Sequence, residues 1–296
     1  MAACALGQVS GQVVAQALVS GLLAGFVFAL IAAGLSLIFG VMEIVNFAHG
    51  EFLMISMYLS YFLHTRLGWD PLAALPVNAV VLFIVGAIVY AVLIRRVLRA
   101  SMLAQIFATF GLSVFLQNLA QFLFRPDFRM VATTMATGRI ALGGVFISRP
   151  QLVAAIGAVL TTGLLYWLLT RTETGKALLA TAEDRQAASL MGIDPDRMFA
   201  LSWGLGAACV GVAGALLSTF YYVFPQVGGI FALIAFVAVA LGGFGSVTGA
   251  FLGGIIIGAV ESLAGVFVAP AVKNIFVFAI YLVVMLVRPR GLLGKQ

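Results

Sequence analysis

Apolar segments of the length that crosses a lipid bilayer recur along the whole chain. A transmembrane helix needs about 20 mostly apolar residues, and only 9% of the residues here are charged, far below the roughly 25% of soluble domains. The segments fall at residues 13–39, 44–63, 73–94, 103–124, 151–170, 199–220, 230–242, 249–268 and 272–287. We therefore predict an all-α, polytopic membrane protein with about nine transmembrane helices, or about eight to ten, in a single domain over residues 1–296.

The basic residues predict the orientation of these helices. They form three clusters that strict alternation places on one face, which should be cytoplasmic because short cytoplasmic loops are rich in Lys and Arg. The clusters are Arg95, Arg96 and Arg99; Arg171, Lys176, Arg185 and Arg197; and Arg288, Arg290 and Lys295. Four further arginines, in the loop at 125–149, fall on the outer face and oppose this assignment. The net charge of +6 thus indicates membrane topology and no nucleic-acid partner.

Three ionisable side chains stand in the first long apolar stretch. Within residues 11–63, the acidic, basic and histidine side chains are Glu43, His49 and Glu51. An ionisable group near the centre of a bilayer costs about 2.5–3.5 kcal/mol, and such groups usually face a bundle interior or a water-filled path. We therefore interpret this cluster as a functional candidate.

A continuous helix would spread this cluster around its circumference. From Glu43 to Glu51 it would cover an arc of roughly 200°, so one side chain would face lipid. A helix that stops at 40–45 and restarts near Asn46 avoids this, with its ends buried beside a polar cavity as in transporters. Asn46 would cap the second helix, whose positive end suits a carboxylate, and Glu43 or Glu51 would pair with an ammonium group. In the alternative, Glu51 and His49 bond to nearby backbone and only hold the break.

One acidic residue stands alone in a late apolar segment. Glu261 either bonds between helices or lines a substrate path, and the sequence leaves both open. The predicted pathway residues are therefore Glu43, Asn46, His49, Glu51 and Glu261.

Small residues recur at helical spacing in two parts of the chain. Such rows let membrane helices approach closely, and we favour packing between helices over pore lining. Consecutive glycines within 241–246 instead predict a tight turn, because glycine breaks a helix interior. The rows are Gly21, Gly25, Ala29 and Ala33; Gly245, Gly249 and Gly253; and Ala250, Gly254 and Gly258.

The long polar stretch at 171–198 predicts two short helices. Good helix formers run over 176–182 and small and apolar residues repeat over 184–191, after which Gly192 supplies a stop. Asp194 precedes Pro195, which indicates a further helix start. By composition alone, the pair is either a docking surface for a soluble partner or a solvated loop.

The chain lacks the signatures of an enzyme. It has no Walker phosphate-binding loop, because Gly175-Lys176 is followed by alanine. Its two histidines and two cysteines lie in different segments, so no metal site, cofactor or nucleophile–base pair is predicted. Energy for transport would have to come from an ion gradient or from a partner ATPase.

Five motifs are spread over almost the whole chain. They are Val45-Asn46-Phe47-Ala48-His49-Gly50-Glu51-Phe52; Phe115-Leu116-Gln117-Asn118; Ala182-Glu183-Asp184 with Leu190-Met191-Gly192-Ile193; Leu241-Gly242-Gly243-Phe244-Gly245-Ser246 with Gly249-Ala250; and Arg288-Pro289-Arg290-Gly291-Leu292-Leu293-Gly294. Together they resemble the permease subunits of branched-chain amino-acid ABC importers, of the LivH type. The Asn-Phe-Ala-His-Gly-Glu run is the specific one, whereas glycine repeats alone are not.

The resemblance implies a multi-pass transport subunit of the bacterial inner membrane, without an ATPase site of its own. It implies three kinds of partner besides lipid: a second homologous permease, two cytoplasmic ATPases and a periplasmic solute-binding protein. The substrates expected are branched-chain or related amphipathic amino acids. Urea, short amides and carboxylic or aromatic acids are alternatives within the same importer type, and an ion-coupled secondary transporter is the rival class.

The resemblance also gives the polar loop at 171–198 a role. It is similar to the loop that couples such permeases to their ATPases. The coupling residues implied are Gly175, Ala182, Glu183, Asp184, Ala187, Gly192 and Ile193.

Overall fold

The computed structural model describes residues 11–131, 135–142, 144–267, 273–288 and 291–293, most of them helical. The helices are α1 (Gly11–Met42), α2 (His49–Leu67), α3 (Leu75–Val89, continued by a π-helical turn, Tyr90–Ile94, and by Arg95–Val97), α4 (Met102–Phe124), α5 (Arg149–Arg171), α6 (Glu173–Glu183), α7 (Arg185–Leu190), α8 (Pro195–Leu217), α9 (Val227–Gly242), α10 (Val247–Phe267) and α11 (Lys273–Val287). Each of the nine predicted apolar segments overlaps one of these helices over most of its length. A helix satisfies its own backbone hydrogen bonds, which is what an apolar surrounding requires.

Within the described residues, six helices are long and apolar enough to cross a membrane. They are α1, α4, α5, α8, α10 and α3 taken over Leu75–Val97. Two shorter apolar helices are α9 and the part of α11 at Ile275–Val284. The prediction of a polytopic membrane protein is confirmed, and the total number of crossings stays a prediction.

A β-hairpin interrupts the helical fold between α4 and α5. β1 (Arg139–Leu142) pairs antiparallel with β2 (Val145–Ser148). The prediction of an all-α fold missed it, although β-branched residues and two central glycines are typical of a hairpin. Gln16 of α1 binds β2 through two hydrogen bonds of 2.7 Å, to the carbonyl oxygen and from the N–H of Phe146.

The rows of small residues form a close seam between α1 and α10. A Cβ at Gly258 would lie 2.3 Å from the Cα of Gly25, and a Cβ at Gly254 would lie 2.4 Å from the Cα of Ala29. The other row of α10, which contains Gly249 and Gly253, packs on α9. A Cβ at Gly253 would lie 2.1 Å from the carbonyl oxygen of Ala238. The favoured prediction, packing between helices, is thus confirmed.

Burial differs sharply among the long helices. In the most apolar stretch of each helix, 78% of the residues of α8 and 72% of those of α1 are buried, whereas only 11% of those of α4 are buried. α8 and α1 therefore form the centre of the fold, and α4 lies at its edge. Ser56 of α2 joins this centre by donating to the carbonyl oxygen of Gly211 in α8, at 2.5 Å.

The turn between α9 and α10 is closed by residues from the far end of the chain. Gly243 and Gly245 have φ of 104° and 80°, which confirms the predicted tight turn. The N–H groups of Leu292 and Leu293 donate to the carbonyl oxygens of Leu241 and Gly242, at 2.8 and 2.9 Å. Two carbonyls that the end of α9 leaves open are thereby satisfied.

Candidate functional site

The first two helices are separated by an irregular segment, residues 43–48, as the polar cluster predicts. Glu43 adopts a φ of 58°, in the left-handed region, and turns the chain out of α1. The Oδ1 atom of Asn46 accepts a hydrogen bond from the N–H of Ala48 at 3.1 Å. The new helix begins at His49 with Ala48 as its N-cap and without a side-chain cap, so the prediction of Asn46 as the N-cap was wrong. Asn46 closes a turn ahead of the helix, a local bond that asparagine readily makes.

The second helix begins deep inside the protein. The ring Nε2 of His49 lies 3.0 Å from the carbonyl oxygen of Ile31, and His49 is fully buried. Ile31 stands 11 residues before Met42, the end of α1, which is about 16 Å along the helix axis. His49 thus attaches the start of α2 to the middle of α1, which is the structural role that the sequence left as an alternative.

A second helix begins at the same place. Gly50 lies directly against Gly228 in the first turn of α9, and a Cβ at Gly50 would lie 2.1 Å from the carbonyl oxygen of Gly228. α2 and α9 therefore start side by side in the interior. Their positive ends converge there, which is the kind of discontinuous-helix site that transporters use.

Glu51 occupies this meeting point and is 2% exposed. Its Oε1 accepts a hydrogen bond of 3.2 Å from the hydroxyl of Ser113 in α4. Its Oε2 has no hydrogen-bond partner among the described residues. That oxygen also lies against Gly228, because a Cβ there would be 2.6 Å away from it. A buried carboxylate of this kind is a strong acceptor for a cationic group.

A cavity of about 420 Å³ opens beside Ser113. It lies between α4, α9 and the irregular segment. Its walls include Phe47, Phe110, Ser113, Gln226, Gly229 and Phe236. A volume in this range and an apolar wall with a few polar groups are typical of a small-molecule site.

α4 is attached to the rest of the molecule at separate points. The hydroxyl of Thr109 donates to the carbonyl oxygen of Val45 at 3.0 Å, one turn before Ser113. At its other end, the ring of Phe124 stacks on Tyr58 with centroids 4.4 Å apart. Between these points lies an apolar cavity of about 310 Å³.

Arg129 closes the far end of this arrangement. Its guanidinium lies over the rings of Tyr58, Tyr61 and Phe62 at 5.8, 5.4 and 5.8 Å, and it donates to the carbonyl oxygen of Phe124. Arg129 thus connects the rings of α2 to the end of α4.

The remaining predicted pathway residues lie elsewhere. Glu43 is exposed at the end of α1, far from the buried start of α2. Glu261 lines a different cavity, of about 480 Å³, together with Gln151 and Ser262. Of the five predicted residues, the structure brings together Asn46, His49 and Glu51.

The polar loop contains the two predicted short helices, α6 and α7. The hydroxyl of Thr172 accepts from the N–H of Gly175 at 3.0 Å and caps α6, and Asp184 caps α7 by accepting from the N–H groups of Gln186 and Ala187. Gly192 has a φ of 84° and ends α7, as predicted. The next N–H, of Ile193, donates back to the carbonyl oxygen of Ala188 at 3.0 Å, which completes the helix end.

The residues implied in coupling differ in their surroundings. Gly175 is buried, and a Cβ there would lie 2.1 Å from the carbonyl oxygen of Leu168. Ala182 and Ile193 are half-buried, whereas four others are exposed: Glu183, Asp184, Ala187 and Gly192. Gly175 therefore fixes the angle between α5 and α6, and the exposed group forms the surface.

Contacts at the base of the loop hold it to the transmembrane helices. The guanidinium of Arg185 lies 4.7 Å from the ring of Phe199 in α8. Asp196 accepts from Arg95 at 2.8 Å and from the hydroxyl of Tyr90 at 3.1 Å, both in the last turns of α3. π-helical turns such as the one at Tyr90 often occur at functional sites.

Two large apolar side chains project from the end of α7. Leu190 is 89% exposed and Met191 is 82% exposed, whereas Leu179 in α6 is 43% exposed. Adjacent, fully exposed apolar residues of this size are typical of an interaction site.

Sequence reasoning missed several residues of the central site. Ser113 and Thr109 gave no signal, because single hydroxyl residues are ordinary in membrane helices. Phe110 and Phe236 were hidden among the 24 phenylalanines of the chain.

Comparison with known proteins gives a consistent result. The family described as branched-chain amino acid transport system / permease component matches residues 17–285. The high-affinity branched-chain amino acid transport system permease protein LivH of Escherichia coli K12 is 34% identical over 95% of each chain. The BraD permease protein of the same kind of system in Pseudomonas aeruginosa is 33% identical, also over 95% of each chain.

One solved structure, described as PsaBC from Streptococcus pneumoniae in complex with Fab, covers 92% of this chain and 91% of that chain. Its TM-score is 0.49 at 15% identity, so it carries no part of the assignment. From the family and the relatives, the chain belongs to the permease components of branched-chain amino-acid ABC transport systems, of the LivH/BraD type, and is a transport subunit that is not itself an ATPase.

Proposed function

We propose that this chain forms one wall of the path through which an ABC importer carries branched-chain amino acids into a bacterial cell. The importer would lie in the inner membrane with a second, homologous permease, two cytoplasmic ATPases and a periplasmic solute-binding protein. The names of the relatives support the substrate class.

The observation that carries the proposal is the loop formed by α6 and α7. Its helices are capped at both ends, it is fastened to α8 and α3, and it presents Leu190 and Met191 to solvent. A rigid element with an exposed apolar end is suited to bind a soluble subunit and to transmit its movement to the transmembrane helices. The loop at 171–198, with the seven residues implied in coupling, is therefore the proposed ATPase-docking element.

The positions of the basic clusters support a cytoplasmic location for this loop. The ion pair between Arg95 and Asp196 brings the first two clusters together. The turn that contains Gly245 packs against Gly40 near the end of α1, and the segment after Arg288 is bonded to the end of α9 beside it. We propose that this end faces the cytoplasm, with about nine crossings and the start of α1 outside.

The outward face of α4 supports a second permease subunit. α4 carries large apolar side chains that are more than half exposed, among them Phe107, Phe110 and Phe115. The cavity beside Ser113 opens on the same side. We propose that the second permease covers this face and that the path runs between the two subunits.

The first experiment is to purify the assembly expressed from its native operon and to measure ATP hydrolysis stimulated by the binding protein. The panel contains leucine, isoleucine, valine, urea, short amides and aromatic acids. Co-purification of two ATPases and stimulation by a branched-chain amino acid is the expected result. Stimulation by another solute alone would change the assignment of the substrate. Purification of the chain without ATPase partners would overturn the assignment as an importer subunit.

The docking element is tested by Leu190→Asp. We expect this variant to lose ATPase co-purification or substrate-stimulated hydrolysis. The matched control is Leu142→Asp, which places the same charge on a residue that is 60% exposed in the hairpin at the other end of the molecule. Equal behaviour of the two variants would remove the loop from the coupling mechanism.

A further inference from the structure

The cavity beside Ser113 has two chemically different ends. At one end Phe47 lies at the centre of an aromatic group, with ring centroids 5.1 Å from Phe236 and 6.4 Å from Phe110. Elsewhere the lining includes Ser113 of α4 together with Gln226 and Gly229 at the start of α9. A ligand that fills this space needs one apolar end and one polar end.

The polar end adjoins groups that favour both signs of charge. Ser113 separates the cavity from Glu51, which is buried and has a carboxylate oxygen with no hydrogen-bond partner among the described residues. The N–H groups of Gly228 and Gly229, in the first turn of α9, have no acceptor within their own helix. The N-cap residue, Gln226, does not supply one through its side chain. A cationic group suits the carboxylate, and an anionic group suits the first turn of α9.

The carboxylate of Glu51 and the first turn of α9 lie side by side. Gly228 touches the free carboxylate oxygen of Glu51, and Gly229 lines the cavity with open space where a side chain would stand. An amino acid carries its ammonium and carboxylate groups on one carbon atom, with its side chain on the other side. The cavity has the same arrangement.

We propose that this cavity is a binding site for an amphipathic amino acid within the membrane. The apolar side chain lies against Phe47, Phe110 and Phe236, the ammonium group faces Ser113, behind which Glu51 lies, and the carboxylate faces the first turn of α9. The inference rests on the proposed function, and it adds a selecting site in the permease itself. Ser113 is the residue whose hydroxyl the ammonium group contacts first.

The test uses the assembled importer with one reactive thiol. Phe110→Cys is placed in a chain whose own cysteines are replaced by Cys4→Ser and Cys209→Ala, and its modification by N-ethylmaleimide is timed. We expect L-leucine to slow the modification at least about fivefold, since a ligand that fills the cavity excludes the reagent. We expect 4-methylpentanoate, which lacks the ammonium group, to leave the rate unchanged at the same concentration.

The control is Leu160→Cys, an exposed apolar position of α5 outside the cavity. Its rate of modification should not respond to leucine. Equal responses at 110 and 160, or no response at either, would overturn the site. Protection by 4-methylpentanoate equal to that by leucine would overturn the assignment of Ser113 and Glu51 to the ammonium group.

A second measurement compares uptake by Ser113→Ala with uptake by Thr170→Val. The hydroxyl of Thr170 bonds within its own helix, to the carbonyl oxygen of Tyr166. Loss of a hydrogen bond to a charged group should reduce leucine uptake by about tenfold in Ser113→Ala, and the control should be unchanged. Unchanged uptake by both variants would overturn the role of Ser113.

Uptake by the wild-type importer separates this inference from the proposed function. If the wild type takes up no branched-chain amino acid, the proposed function fails. If the wild type takes up leucine and leucine does not protect position 110, the site alone fails.

Discussion

The seam between α1 and α10 and the attachment of α4 represent two opposite ways of joining helices. In the seam, glycine and alanine bring the backbones together, with no room for a Cβ at Gly254 or Gly258. α4 is instead held by Thr109 and Ser113 at one end and by aromatic rings around Arg129 at the other, with a cavity of about 310 Å³ between them. The difference separates a closely packed part of the molecule from one that is held by a few contacts.

Close backbone packing has only one arrangement, whereas a helix held by separate polar contacts can exchange them. Switching between discrete packings is the usual basis of large conformational change. The seam is therefore the frame of this subunit, and α4 is the element that we expect to shift during transport. The site with Glu51 lies where α4 meets α2 and α9.

The largest expected effect is in the seam. Gly258→Val would place a branched side chain where a Cβ alone would lie 2.3 Å from the backbone of α1. We therefore expect almost no folded protein. The measurement is the yield of monodisperse protein after detergent extraction. Gly265→Ala, seven residues later and with nothing within 4 Å, is the control. A normal yield of the valine variant would show that the seam is not rigid.

The next effect is at the attachment of α4. Arg129→Gln removes the guanidinium from the three rings and from the carbonyl oxygen of Phe124, and we expect a loss of about 2 kcal/mol in the free energy of unfolding. Thermal unfolding in detergent measures the stability, and hydrogen exchange in the last turns of α4 should accelerate. The control is Arg66→Gln, an exposed arginine at the end of α2. Faster exchange throughout α1 as well would contradict the division into two regions.

A smaller effect is expected for Thr109→Val, which keeps the shape of the side chain. It removes the hydrogen bond to Val45, and the free energy of unfolding should fall by about 1 kcal/mol. Because this bond holds α4 to the irregular segment, hydrogen exchange in the first turns of α4 should rise while the transporter remains assembled. An unchanged exchange rate would show that α4 does not depend on this contact.

The smallest effect is expected for Gly163→Ala in α5. A Cβ there meets nothing within 4 Å, and alanine is favoured over glycine in a helix by about 1 kcal/mol. Uptake should be unchanged and thermal stability equal or slightly higher. A marked loss of assembly would mean that a partner covers this part of α5.

The features that were predictable from the sequence are those encoded locally. The interruption after α1 follows from placing Glu43, Asn46 and Glu51 in one apolar stretch, and the caps at Asp184 and Asp194 follow from their position before helix formers. The seam was predictable because the spacing of its glycines is regular. The hairpin carried a recognisable signal as well, which the strong helical pattern around it obscured.

The features that were not predictable depend on contacts between distant segments. Nothing near His49 indicates that its ring would bind the carbonyl oxygen of Ile31, and nothing near Ser113 indicates Glu51. Depth also depends on the fold: the sequence grouped Glu43 with the buried residues, but the end of α1 exposes it. The candidate site is assembled from α2, α4 and α9, so no single stretch describes it.

The bonds from Leu292 and Leu293 to the end of α9 bear on how the protein is made. α9 enters the membrane long before the residues that complete its last hydrogen bonds have left the ribosome. Until then, the carbonyl groups of Leu241 and Gly242 need water or an insertion factor as a temporary partner. Completion of this turn is therefore a late event in biogenesis, and a stop codon placed shortly before residue 291 would leave these two carbonyl groups without their partners.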